Sequence, residues 1–241
     1  MFALFTDFGW EGPYVGQMKA QLLSTMPNVP VVDLQHDAPK HDPVRSAYLL
    51  AAYGAWFPEE TIFVCVIDPG VGSNRRCIAV EASGRWYVGP DNGLLSLVAG
   101  RDPAAACWNV PVPQGASPSF HGRDVFAPAA VAIGRGEYGG WSSLAVSDLT
   151  LYPLPNDLAE VAYVDHFGNL VTGLRDDAAK DCSQLRVGDV ALQRAATFSD
   201  VAPGTVFWYR NSSGLVEIAA NGRRADEALG VTVGTKVELV P

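Results

Sequence analysis

Cationic residues are scarce in this chain. Lys and Arg number 17 against 26 Asp and Glu, a net charge of −9 over 241 residues. With no extended Lys/Arg run, nucleic-acid backbones and anionic membrane surfaces are poor partners, and the excess acid reads as solubility. Charge of either sign amounts to only 18% of residues against 48% hydrophobic ones, which excludes a disordered chain and leaves material for a core. Long apolar runs are also missing. The longest stretches, residues 48–57 and 126–133, fall well short of the ~20 residues that a membrane span needs. The N-terminus has no basic segment and reaches Asp7 at once, so it reads as a buried first strand and not as a signal peptide. The four cysteines, Cys65, Cys77, Cys107 and Cys182, form no CxxC pair, and the four histidines form no HExxH. A metal site or redox motif is therefore not expected; buried reduced thiols in the cytoplasm are. No internal repeat is visible.

What is present falls into two parts. FALF reads as a short apolar strand, and Pro13 suits the first turn of a helix running to about Met26. VPVVDL is a second strand; Pro43 opens a helix that Pro58 ends. TIFVCVID is a continuous β-branched run, the mark of a strand buried on both faces. CIAVEAS and RWYVG form a hairpin around Ser83-Gly84, while NGLLSLVAG and DVFAPAAVAIGRG read as helices. This alternation predicts an α/β fold with a largely parallel central sheet. Near residue 137 the character changes to a Gly-, Pro- and Ser-rich stretch that reads as a linker. Beyond it EVAYVD, LVTGL, DVALQ, TVFWYR, LVEIAA and KVELV are short strands separated by turn chemistry, the pattern of a small β-barrel or sandwich. The expected division is an N-terminal α/β domain over 1–150 and a C-terminal all-β, barrel-like domain over 158–241.

Ligands of open α/β sheets bind beyond the carboxyl ends of the strands. Three loops leave such ends: one with Asp7, one with Asp68 in DPGVGSNRR, and one with His121 in SFHGRD. An acid, a cation and a base delivered by three loops make a candidate catalytic set. Each residue alone has a plainer reading: an Asx turn for the aspartates, a solvated surface residue for Arg75 or Arg76, a structural imidazole for His121. DPGVG lacks the spacing of a phosphate loop, no GxSxG elbow offers a serine nucleophile, and the DFG at Asp7 has no kinase context.

The segments TDFG (6–9), PYVGQMKA (13–20), VIDPGVGSNRR (66–76), PDNG (90–93) and FHGRDVFAP (120–128), followed by VDHFGNLVT (164–172), TFSDV (197–201) and NSSGLVEIAANG (211–222), occur in that order. Together they resemble the S-adenosylmethionine hydrolase (hydroxide adenosyltransferase) family, relatives of fluorinase and chlorinase. The resemblance spans nearly the whole chain. It implies an α/β domain followed by a β-barrel-like domain, a homotrimer with sites at subunit interfaces, and hydrolysis of S-adenosyl-L-methionine to adenosine and L-methionine without a cofactor. The family's water-positioning Asp–Arg–His set falls on Asp68, Arg75 and His121. Halogenases carry Tyr where Asp68 stands, and Ser one position past the His, where this chain has Gly122; they also carry an inserted loop absent here. Some members have an acid at position 12 that holds the ribose hydroxyls; Gly12 stands there, which passes that task to Asp7 or its neighbours.

The implied chemistry needs little beyond geometry. C5′ of the substrate is electrophilic beside its sulfonium, and water must be oriented in line with the leaving sulfur. Asp68 and His121 accept or relay the proton, and Arg75 stabilises developing hydroxide or holds Asp68. The resemblance assigns substrate contacts to Asp7, Phe120, Asp165, Phe167, Asn169, Phe198, Ser212 and Asn221. Phe167 and Phe198 would sandwich adenine, Asn169 would read its edge, Asp165 would meet the ammonium and Ser212 the carboxylate. The alternatives are a halogenase on the same scaffold and a non-catalytic adenosine or S-adenosylmethionine binder.

Overall fold

A computed structural model describes residues 1–240. The chain divides into two units, Met1–Leu154 and Pro155–Pro241.

In the first unit, strands β1 (Phe2–Thr6), β2 (Val31–Gln35), β3 (Ile62–Val66), β4 (Cys77–Ala82), β5 (Arg85–Pro90), β6 (Ala106–Asn109) and β7 (Ser142–Leu144) form one sheet of order β2-β1-β3-β5-β4-β6-β7. β1, β2, β3 and β5 run parallel, and the β4–β5 hairpin introduces the first antiparallel pair. The hairpin turn is Ser83-Gly84, both at positive φ, as a tight two-residue β-turn requires. Helices α1 (Tyr14–Thr25), α2 (Pro43–Gly54), α3 (Ser96–Arg101) and α4 (Ala127–Gly134) pack around this sheet. Asp42 caps α2 by accepting from Arg45 N, with Pro43 at the first helical position, the preferred arrangement for a helix start.

β1 and β3 are buried along their whole length because both sheet faces are covered. Phe2, Leu4, Val64 and Val66 pack with Met18 and Leu22 of α1 and with Phe126 and Ala130. On the opposite face Phe63 stacks on Tyr87, with ring centroids 4.9 Å apart, and the C-terminal end of α2 closes over them. Each fully buried Phe or Leu contributes about 1.5–3 kcal/mol by leaving water.

Residues 137–144, read from composition as a linker, instead carry the edge strand β7. Aromatic packing outweighs the glycines: Tyr138 lies against Trp86, Trp108 and Trp141, and Ser142–Leu144 pairs with β6.

In the second unit, β8 (Leu158–Val164), β9 (Leu170–Arg175), β12 (Val206–Arg210) and β13 (Leu215–Ala220) make a sheet of order β12-β13-β9-β8. β10 (Gln184–Val187), β11 (Val190–Gln193) and β14 (Val237–Val240) make a second, of order β11-β10-β14. The named pairings are all antiparallel, and a short helix α5 (Ala225–Leu229) follows β13. The all-β, barrel-like character is as expected: among the described residues the strands make no single continuous closed sheet, but the isolated bridges Glu160–Lys236 and Arg194–Trp208 link the two sheets at both edges, around a shared core of Leu170, Leu185, Trp208, Val216 and Ile218.

Candidate active site

β1 pairs with β2 on one side and β3 on the other, so the strand order reverses between β1 and β3. The crevice past the carboxyl ends of two such strands is where open α/β sheets bind ligands. A cleft of about 210 Å³ lies there, lined among others by Asp7, Phe8, Tyr14, Asp68, Phe120 and His121. Phe8, Tyr14 and Phe120 form one aromatic wall, with centroids 5.3–6.1 Å apart.

Asp68 follows β3 in a loop of tight turns, with Val71 N donating to Asp68 O and Ser73 N to Gly70 O. Gly72 has φ +80°, and a Cβ there would lie 2.6 Å from the Pro118 carbonyl oxygen. Only glycine lets this loop approach the 117–121 segment so closely. Behind the loop, Asn92 Nδ2 donates to Ile67 O. Arg76 donates from Nε to Asp91 Oδ2 at 2.7 Å, so the two adjacent arginines have separate tasks. Arg76 ties the loop to the body of the unit, and Arg75 turns inward.

Arg75 is the hub. Its Nε donates to Asp68 Oδ1 at 2.7 Å, and its Nη2 pairs with Asp68 Oδ2. Nη2 also meets His121 Nδ1 at 2.9 Å, and Nη1 meets Cys77 Sγ at 3.0 Å. The Asp68 and Arg75 side chains are 4% and 8% exposed. Burial works against the Arg75 charge, but the Asp68 carboxylate more than offsets it and raises its pKa. His121 immediately precedes a π-helical turn, Gly122–Phe126, that runs into α4, a geometry frequent at functional sites. Burial, and secondarily Arg75, push the imidazole below its ordinary pKa. An arginine has no acceptor, so Nδ1 must be the unprotonated nitrogen, and neutral His121 carries its proton on Nε2. Burial also raises the Cys77 thiol, more than Arg75 lowers it, which leaves it a neutral neighbour. Asp7 accepts from the His41 backbone N–H at 2.8 Å.

A second cleft, of about 790 Å³, lies in the β unit, and Asp165, Phe167, Asn169, Phe198 and Ser212 all line it. Asp165 Oδ1 accepts from Asn169 N at 2.8 Å and Oδ2 from Asn169 Nδ2 at 3.0 Å. The Asn169 amide is thereby fixed, with its Oδ1 left as the free acceptor. Gly168, at φ +84°, allows this turn: a Cβ there would sit 2.6 Å from Asp226 Oδ1 and 2.7 Å from Arg224 Cβ. Phe167 is 73% exposed, whereas Phe198 leans on Phe207 and Tyr209. Asn221 is not among the lining residues: its Nδ2 donates to Val201 O and its backbone holds the 204–205 turn.

The sequence reading missed Tyr209, Asn211 and Glu217 in this cleft and Phe8, Tyr14 and Cys77 at the first. Glu217 had a faint signal, one acid in the otherwise apolar LVEIAA. Its carboxyl, 6% exposed, accepts from Tyr209 Oη at 2.6 Å and Asn211 Nδ2 at 2.9 Å. Burial raises its pKa despite these two bonds. Among the described residues no group of three His, Cys, Asp or Glu could hold a metal ion, and no helix is long and apolar enough to cross a membrane.

A buried Asp–Arg–His hub at the switch point of an α/β sheet, on a chain that continues into a β unit with its own cleft, defines a two-unit α/β class. Its membership can be stated more narrowly. Residues 2–140 match the SAM hydroxide adenosyltransferase N-terminal domain and residues 159–238 its C-terminal domain, and the chain belongs to this family. It is similar to a Thermus thermophilus protein named (R)-S-adenosyl-L-methionine hydrolase, at 40% identity covering 98% of this chain and 97% of that one. A Salinispora tropica protein of the same name is 36% identical over 97% and 95%. A fluorinase from an Actinoplanes species is more distant, at 26% identity over 92% and 91%. A solved structure from Thermotoga maritima, described as an uncharacterized conserved protein, superposes with a TM-score of 0.86 at 29% identity over the full length of both chains.

Proposed function

We propose that this chain hydrolyses S-adenosyl-L-methionine to adenosine and L-methionine. The observation that carries the reading is the single guanidinium of Arg75 joining Asp68 and His121. Neutral His121 donates from Nε2 to one lone pair of a water molecule, and Asp68, whose oxygens each keep a lone pair, accepts a proton from it. The water's other lone pair then aims at C5′. The O–C5′ bond forms, the C5′–S bond breaks with sulfur taking the electron pair, and one proton is released. Such positioning is worth several kcal/mol, and Arg75 stabilises charge as the proton leaves. His121 orients rather than accepts, which narrows the base role expected of both residues to Asp68. The reading invokes no cofactor.

The β-unit cleft would hold the substrate. Phe167 and Phe198 flank adenine, Asn169 Oδ1 accepts from its amino group, Asp165 meets the methionine ammonium and Ser212 its carboxylate. Asp7 and Phe120 line the ribose end. We place the two clefts of one site on neighbouring copies of a homotrimer, in keeping with the family resemblance. The four free cysteines support a reducing compartment, the cytoplasm.

Incubation with S-adenosyl-L-methionine in ¹⁸O water, with and without chloride, tests the reading. The expected products are methionine and adenosine labelled at the 5′-hydroxyl. A 5′-chlorinated nucleoside would make the protein a halogenase, binding without turnover would make it a carrier, and unlabelled adenosine would overturn attack by water at C5′.

A further inference from the structure

The β-unit cleft contains a buried carboxyl that none of the substrate assignments uses. Glu217 lies directly opposite Tyr209 in the β12–β13 hairpin. One carboxyl oxygen receives the Tyr209 hydroxyl and the other the Asn211 side-chain amide. Asn211 Oδ1 in turn accepts from the backbone N–H groups of Ser213 and Leu215, both at 2.9 Å. Asn211 thus serves shape: two bonds close the turn around Ser212, and the third ties the turn to Glu217. Tyr209, Asn211, Ser212 and Glu217 all line the cleft. A surface hairpin with Asn-Ser-Ser-Gly at its tip would close on its own, so a buried acid beneath it serves something other than turn formation. Such a group costs stability unless its bonds are needed.

We propose that Glu217 is a positioning residue for substrate recognition, fixing the Tyr209 hydroxyl directly and the Ser212 turn through Asn211. This rests on the proposed function, in which Ser212 grips the methionine end of the substrate while Phe167, Phe198 and Asn169 grip adenine. Loss of Glu217 frees the Tyr209 hydroxyl and the Ser212 turn, while the Tyr209 ring on which Phe198 leans stays packed against Phe207, so the adenine end is disturbed least. The hydrolytic groups Asp68, Arg75 and His121 belong to the other unit, so kcat is spared and KM is not.

The test compares two ligands on the full-length protein: S-adenosyl-L-methionine, and adenosine, which lacks the methionine arm. Glu217→Ala should weaken S-adenosyl-L-methionine about tenfold or more, the loss of about 1.4 kcal/mol, with adenosine affinity and kcat changed less than threefold. Glu217→Gln keeps an acceptor for Asn211 and a partner for the Tyr209 hydroxyl, and should recover most of the loss. Asn211→Ala, at the far end of the relay, should reproduce the selective loss and serves as the independent variant if Glu217→Ala does not fold. Equal weakening of both ligands would show a structural role only and overturn the proposal. Failure of Glu217→Gln to recover would overturn it in favour of a charge effect. A wild-type protein that binds adenosine but neither binds nor cleaves S-adenosyl-L-methionine would instead overturn the functional reading, and the inference with it.

Discussion

The two clefts are built by opposite means. In the α/β unit, charged groups arrive on separate loops past the ends of parallel strands, and one guanidinium locks an acid and an imidazole into a single buried cluster. In the β unit the carboxyls of Asp165 and Glu217 are held by amides and a hydroxyl, beside an exposed aromatic ring at Phe167. Fixed charges in a dry setting are what a developing transition-state charge needs. Neutral hydrogen bonds and open aromatic faces are what recognition of a nucleoside needs. The difference predicts that damage to the first cleft acts on kcat and damage to the second acts on KM.

The largest effect is expected at His121. His121→Ala leaves the Arg75–Asp68 pair in place but removes the donor to water, and turnover should fall on the order of 10²–10⁴-fold with S-adenosyl-L-methionine affinity little changed, as measured by calorimetry beside steady-state rates. Wild-type turnover in this variant would remove His121 from the machinery. The same residue sets a pH signature. Burial and Arg75 lower its pKa beneath the ordinary 6.5, and the neutral form is the working one, so the acid limb of the kcat profile should lie below pH 6.5 and the plateau above it. The sign for stability agrees. The unfolded chain binds this proton more readily than the folded one, so the contribution is intact above 6.5 and is lost as pH falls through the folded value. An acid limb centred at or above 6.5 would contradict burial beside Arg75 as the setting of this group.

A sharper division comes from mixing broken halves. Asp68→Ala disables the first cleft through kcat and Asn169→Ala the second through KM, and at substrate concentrations near the wild-type KM each should be nearly inactive. If a site joins the two clefts of neighbouring copies, a reassembled 1:1 mixture should regain about a quarter of wild-type activity, because three of four statistical trimers are mixed and each has one intact site of three. Assembly verified by mass, with no recovery, would place both clefts of a site on one chain.

How far the sequence reveals these clefts follows from what sets each residue. The strand and helix order of the first unit is legible because long apolar runs such as IFVCV carry the burial that drives them. Asp68, Arg75 and His121 stand out because glycine and proline mark their loops and the motifs fall in family order. Tyr209 and Glu217 do not stand out, because their meeting depends on hairpin register, which no local pattern encodes. β7 and β10 are short; β7 pairs with the distant β6, and β10 lies between its neighbour β11 and the distant β14. Asn221 looks like a recognition residue by type, yet its amide is consumed by Val201, a purely tertiary fact.

The smallest expected effect tests whether the first cleft is tuned to water or only shaped by packing. By the family resemblance, halogenases would carry serine at the position of Gly122, one residue past His121. A Cβ at Gly122 would sit 3.1 Å from Met18 Sδ and 3.3 Å from Phe120 Cε2, and φ there is not in the left-handed region. Both neighbours are side-chain atoms, and the Met18 thioether is flexible enough to yield a few tenths of an ångström. Gly122→Ser should therefore fold, with a stability loss within about 1–3 kcal/mol for mild overpacking. Its hydrolysis rate should fall less than tenfold, since Arg75, Asp68 and His121 keep their mutual contacts. The informative measurement is the product ratio in molar chloride. With Asp68 still in place, adenosine should remain the sole product, because a carboxylate beside the attacking position repels a halide. Chlorinated nucleoside from Gly122→Ser alone would mean that the hydroxyl, and not the charge at Asp68, decides the nucleophile.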